Sequence, residues 1–297
     1  MFALGVVIET VAYFTKPEWF LAGEYTRLAW LAGVEARTVE IGDHRVAYYD
    51  GGEGAPVVLV HGFAGNKEYW LELARELDGH RLVIPDLQGW GRSTRRDDAD
   101  YRVDAQVERF VAFLDALDLE RVHLVGHSMG GHIAGLVAAR HPERVTTLTL
   151  VETAGVRFTP NDFARRVFAG ETPFNFGTRA EFDAFMHELF VAPRWLPPRI
   201  RGVLIEDSRS RHAFQARLLA EMGREDQAFI LEHELPSITP ATLVVWCDGD
   251  RLLDVSSVAT IRAKLPSAEA VVLTGCSHMP MMEKPVELAE ALRKHLE

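Results

Sequence analysis

Gly126-His127-Ser128-Met129-Gly130 places a serine between an apolar run, Val122–Val125, and the start of a helical pattern at Met129. A sharp strand–turn–helix there would hold Ser128 in strained backbone geometry and present its hydroxyl at the carboxyl edge of a sheet. Glycines at both ends would let the turn approach its neighbours closely. A serine hydroxyl attacks well only when a base removes its proton. Of 12 histidines, His278 is best placed, because it follows the strand-like Ala270–Leu273 and precedes the last helical stretch. His61 reads as structural, and His127 is expected to point away from the serine. An imidazole base needs an acid to hold its tautomer. Asp250, just past the strand-like Thr242–Trp246, is the favoured partner, with Glu152, which ends Val145–Val151, as the rival. His61-Gly62-Phe63 closes another strand, so the backbone N–H groups of Phe63 and Met129 are candidate donors to a developing oxyanion. Together these groups would perform acyl transfer through a covalent serine intermediate.

Such groups need a rigid frame. Strands are read at Arg45–Tyr49, Val57–Val60, Arg81–Ile84, Val122–Val125, Val145–Val151, Thr242–Trp246 and Ala270–Leu273. Helical patterns lie between most of them, at Lys67–Leu77, Asp104–Leu117, Met129–Arg140, Val255–Leu265 and Val286–Leu296. Strand–helix alternation with continuous apolar strands predicts an α/β fold: a mostly parallel sheet covered by helices on both faces. From Val156 to Ile238 the rhythm changes to helical segments punctuated by prolines. Ten of the 16 phenylalanines fall there, and the stretch reads as a helical cap inserted between two strands.

The chain has 297 residues and a net charge of −11, which disfavours nucleic acid as a partner, since phosphate recognition needs cationic groups. Two cysteines, Cys247 and Cys276, make no disulfide framework and no zinc-ligand spacing is seen. Two free thiols are favoured, with one disulfide left open, and a reducing compartment is slightly preferred. No metal or cofactor is expected. Residues 1–34 are apolar and aromatic, with Trp19, Phe20, Tyr25 and Trp30 in quick succession. They fit neither a signal peptide nor a spanning helix. Two readings stand: a helix pair packed on the domain, or an anchor at a membrane interface. Localisation is accordingly read as cytoplasmic or peripherally membrane-associated, and the oligomeric state is not legible.

These motifs resemble the α/β-hydrolase fold superfamily over residues 37–297, and within it the monoacylglycerol-lipase branch and related bacterial lipases. The narrower likeness rests on His61-Gly62-Phe63 with Asn66-Lys67 and Trp70, and on Ile84-Pro85-Asp86-Leu87 with Gly89 and Gly91. Asp100-Tyr101-Arg102, Ser128-Met129-Gly130-Gly131-His132, Trp246 with Asp250, and His278 with Glu283 and Pro285 extend it. The resemblance implies an eight-stranded sheet, Ser128 as nucleophile, Asp250 as acid, His278 as base, and Phe63 and Met129 as oxyanion donors. It also implies a core of residues 35–155 and 239–297 with a cap at 156–238. Cys247 and Ser277 stand where the pattern usually has glycine. The implied activity is hydrolysis of lipid-like carboxylic esters without a cofactor. Carbon–carbon bond hydrolysis by the same triad and a non-catalytic ligand-binding homologue are the alternatives; Ser128 argues against the dehalogenases and epoxide hydrolases, which place Asp there.

Overall fold

The computed structural model describes residues 13–297. Eight strands form one sheet in the order β1-β2-β4-β3-β5-β6-β7-β8. They are β1 (Val34–Ile41), β2 (His44–Gly51), β3 (Pro56–Val60), β4 (Arg81–Pro85), β5 (Val122–His127), β6 (Val145–Val151), β7 (Ala241–Cys247) and β8 (Glu269–Leu273). Pairing is antiparallel in β1–β2 and β2–β4, and parallel from β4 through β8. The strands that the apolar runs marked lie where expected. Val57, Val58, Leu59 and Val60 have no accessible surface, because helices cover both faces of the parallel region. The eighth strand is β1, a charged edge strand exposed over most of its length.

Helices fill the crossovers, and that from Met129 to Arg140 lies under the centre of the sheet. Its closeness depends on glycine. A Cβ at Gly130 would lie 2.3 Å from the Val60 carbonyl oxygen, and one at Gly126 would lie 2.4 Å from the Gly130 carbonyl oxygen. Between β6 and β7 the chain leaves the sheet for helices at Asp162–Phe168, Arg179–Leu189, Pro198–Met222, Glu225–Ala228 and Ile230–Glu234. Near the N-terminus the helix Pro17–Leu31 packs against β1 and the Pro198–Met222 helix. It exposes Trp19 and Trp30 but turns Tyr25 inward, where burial raises the phenol's pKa well above its usual value. Residues 1–12 of the proposed N-terminal segment lie outside the described residues. No described helix is long and apolar enough to cross a membrane.

One buried ion pair holds the loop after β3. Lys67 Nζ lies 2.7 Å from Asp86 Oδ2 and 2.9 Å from Glu68 Oε1, and Asp86 has no accessible surface. Asp86 also accepts the Lys67 N–H at 2.8 Å and the Arg92 N–H at 2.9 Å. The carboxylate therefore pins two loops at once. Asp86→Asn is expected to lower the unfolding free energy by about 3 kcal/mol. This is the lower end of the cost of leaving one member of a buried pair alone, because Glu68 remains. A fall in the urea midpoint at unchanged slope would report it; an unchanged midpoint would show that the pair does not anchor the loop.

Candidate active site

The groups with chemistry meet at the carboxyl ends of β3, β5, β6, β7 and β8, where a parallel sheet gathers its loops. Ser128 sits between β5 and its helix with φ 53° and ψ −118°. That is the strained turn read from the glycine spacing, held by the Ser128 N–H donating to the Val151 carbonyl at 3.0 Å. Ser128 and His278 line one cleft together with Gly62, Phe63 and Met279.

His278 Nδ1 lies 2.9 Å from Asp250 Oδ2. The other oxygen, Oδ1, accepts the N–H groups of Leu252 at 2.8 Å and Leu253 at 3.0 Å. The carboxylate is thereby fixed at one oxygen while the second faces the imidazole. Both side chains are nearly inaccessible. Nδ1 donating to Asp250 leaves Nε2 as the nitrogen available to a serine proton. Glu152 is close but does not compete. Its Oε1 accepts the Cys247 N–H at 3.0 Å, whereas Oε2 stands 3.6 Å from His278 Nδ1, beyond a hydrogen bond.

Two histidine expectations fare differently. His61 is structural: its Nε2 accepts the Leu87 N–H at 2.9 Å and its Nδ1 donates to the Gly62 carbonyl at 2.8 Å. His127 does not point away from the site. Its ring lies 4.7 Å from that of His278, and its Nε2 donates to the His278 carbonyl at 2.8 Å. Burial, and then the neighbouring His278, hold the His127 pKa well below the usual imidazole range, so it is neutral. His127 thus braces the His278 backbone, a contact between β5 and the loop after β8 that no local pattern announces.

The expectation of two free thiols is overturned. Cys247 and Cys276 form a disulfide with their Cα atoms 5.3 Å apart. The physical reason is strand adjacency: Cys247 pairs in register with Leu273, which brings the loop after β8 over the end of β7. The preference for a reducing compartment rested on free thiols and loses that ground. Glu283 is a further organiser. Its Oε2 accepts the Ser277 N–H at 2.7 Å and its Oε1 accepts the Val191 N–H at 2.8 Å. The Ser277 hydroxyl donates to the Glu188 carbonyl at 3.0 Å, tying the histidine loop to the helical insertion.

Phe63 and Met129 flank the serine from two sides. Among the described residues, neither N–H donates to a protein acceptor, which leaves both free for an oxyanion. Phe174, Phe185 and Leu189 of the insertion close the cleft to about 30 Å³, the space of a water or two. Phe174 meets Phe63 in a tilted contact at 4.8 Å and Phe185 edge to face at 5.8 Å between centroids. Among the described residues His127, Glu152 and His278 could converge on a cation, their donor atoms lying within 4.8 Å of one another. Doing so would cost the two imidazoles their bonds to the His278 carbonyl and to Asp250.

Residues 55–285 match the model of the alpha/beta hydrolase fold. The chain belongs to the α/β-hydrolase fold family. Within it, the chain is 31% identical to Lipase 1 of Psychrobacter immobilis over 86% of its own length and 82% of the relative's. It is 29% identical to the monoacylglycerol lipase ABHD6 of Bos taurus, over 88% and 81%. A solved structure described as a membrane phospholipase A, a novel bacterial virulence factor, superposes with a TM-score of 0.91 at 35% identity, covering 99% of this chain and 97% of that one. The α/β hydrolase is thus an ester-hydrolysing serine hydrolase.

Glu152 offers a test of the site's electrostatics. Burial, and then the nearby Asp250, raise its pKa well above the usual carboxylate range. The folded chain therefore keeps a proton that the unfolded chain releases near pH 4.3, so this group's contribution to stability falls as pH rises above about that value. Glu152→Gln removes the dependence. Its stability relative to wild type should increase steadily between about pH 5 and 8, followed by urea midpoints at each pH; a difference that does not vary with pH would rule out a protonated Glu152.

Proposed function

We propose that this α/β hydrolase cleaves lipid-like carboxylic esters of the monoacylglycerol type through Ser128, His278 and Asp250. The observation that carries the reading is the Asp250–His278 hydrogen bond at 2.9 Å beside a serine in the same cleft. Ser128 Oγ attacks the ester carbonyl as His278 Nε2 takes its proton, and the N–H groups of Phe63 and Met129 receive the oxyanion. The tetrahedral adduct expels the alcohol, protonated by His278. Water, activated by the same imidazole, then releases the acid from Ser128. Two fixed backbone donors contribute roughly 10²–10³ in rate each.

Lipid specificity draws support from relatives that are lipases and a monoacylglycerol lipase. Residues 156–238 act as a cap on the core formed by 35–155 and 239–297. Phe174 and Phe185 sit at its contact with the cleft, so an acyl chain displaces these rings as it enters. Most other cap phenylalanines serve packing: Phe163 and Phe182 are buried, and Phe168 faces outward.

The exposed Phe14, Trp19 and Trp30 support peripheral attachment to a lipid surface through residues 1–34. Tyr25 does not join that surface. The packing of its helix on β1 belongs to the rival reading, so the helix serves both: one side docks to the core and the other meets lipid.

Three outcomes are expected. Ser128→Ala should lose fluorophosphonate labelling and about 10⁴–10⁶ in kcat, while wild-type kcat/KM rises from acetyl to octanoyl esters. Labelling of the alanine variant at the wild-type rate would refute the nucleophile, and equal kcat/KM along the series would refute the acyl pocket. Trp19→Ser with Trp30→Ser should abolish sedimentation with neutral phosphatidylcholine liposomes and leave turnover of dissolved esters intact. Full-length protein that never sediments would end the attachment reading.

A further inference from the structure

We propose that the Cys247–Cys276 disulfide is a clamp that positions Asp250 against His278, and that turnover therefore depends on its oxidation. The inference rests on the triad reading above. Cys247 ends β7 three residues before Asp250, and Cys276 lies two residues before His278. The bond joins the acid loop to the base loop at their roots. Both cysteines have no accessible surface.

The sheet alone holds this junction poorly. β8 is an edge strand, paired only with β7, and none of its five residues is buried. Its Val272 side is open to solvent, so His278 hangs from the weakest end of the frame. Apart from the Asp250–His278 bond itself, the other ties between the two loops among the described residues are three hydrogen bonds. Asp248 N–H donates to the Leu273 carbonyl at 2.9 Å and Gly249 N–H to the Cys276 carbonyl at 3.2 Å. Gly275 N–H donates to Asp248 Oδ1 at 2.9 Å, on an exposed turn. Against them stands a requirement at the scale of a hydrogen bond: Nδ1 and Oδ2 must stay near 2.9 Å. A shift of 1 Å would break that geometry.

The loop after β8 is tied twice over: Cys276 bonds covalently to Cys247, and Ser277 adds a hydrogen bond to the insertion. Cys247 also donates its N–H to Glu152. Opening the clamp would therefore loosen the acid beside it as well.

Opening is a two-electron reduction. A dithiol's thiolate attacks one cysteine sulfur, the other leaves as a thiolate, and the reagent's second thiol closes into a cyclic disulfide. Two electrons and two protons pass to Cys247 and Cys276. Because the sulfurs are buried, the attack follows local opening of the β7–β8 end.

The test is a cycle of variants: wild type, Cys247→Ala with Cys276→Ala, Asp250→Asn, and all three changes together, each with its melting temperature measured. On a dissolved ester well below every melting temperature, losing the clamp should lower kcat by about 10- to 100-fold at nearly constant KM. In the Asp250→Asn background the same cysteine changes should cost less than about threefold, because the contact they secure is already gone. Full kcat with only a lower melting temperature would make the bond a plain stabiliser and overturn the proposal. So would equal losses in both backgrounds. Asp250→Asn at full kcat would sink the triad reading and the clamp with it, whereas an impaired Asp250→Asn beside an unimpaired cysteine variant sinks the clamp alone. Should the cysteine variant fail to fold, wild type titrated with dithiothreitol decides: kcat must fall as alkylatable thiols appear by mass spectrometry, and return on reoxidation. Fully reduced, folded enzyme at full kcat overturns it.

Discussion

The hydrogen bond between His278 Nδ1 and Asp250 Oδ2 is short-ranged, yet it joins loops from different strands. Its length depends on everything that locates those loops. The parallel pairing of β7 with β8 sets the gross distance, the disulfide fixes the roots, and two amides hold one carboxylate oxygen. His127 supports the carbonyl of His278 from β5, while Glu283 anchors Ser277. Each support is an ordinary contact. Their joint effect is to hold the imidazole against Asp250, at the cleft it shares with Ser128.

Three buried acids near this edge illustrate how partners decide charge. Asp86 meets an ammonium and two amides. Asp250 meets two amides and an imidazole. Glu152 has one amide, and its second oxygen finds no partner among the described residues. Burial costs every carboxylate its hydration, and only sufficient donors offset that cost. Glu152 has the fewest, and burial raises its pKa well above the usual carboxylate range. Asp250 and Glu152, both at strand ends, thus differ in donor supply and by 0.7 Å in their distance from His278 Nδ1 (3.6 against 2.9 Å).

Much of the frame was legible because local pattern and burial coincide. Val57–Val60 reads as a buried strand since helices cover both of its sides, and Gly126 to Gly130 reads as a tight turn since no Cβ fits there. The meeting of Ser128, Asp250 and His278 followed from each ending or following such a strand. β1 was missed for the opposite reason: it alternates charged and small residues on an exposed edge, where no apolar run is needed. The disulfide and the His127 contact were illegible because both are fixed by strand order, β5-β6-β7-β8, which local periodicity does not encode. Tyr25 likewise belongs to an aromatic cluster whose inward and outward members differ only by helical phase.

The positive φ angles of Ser128 and Glu152 carry an evolutionary cost. Both are non-glycine residues at the ends of adjacent strands, in a backbone region that disfavours a Cβ by about 1–3 kcal/mol per residue. Selection for stability alone would drift position 128 toward glycine, and each such drift would erase the hydroxyl. One of the strained residues of this fold is thus also the one that carries the hydroxyl of the cleft. Heat tolerance in this enzyme has to accumulate elsewhere, on the covering helices and the insertion, away from the carboxyl edge of the sheet.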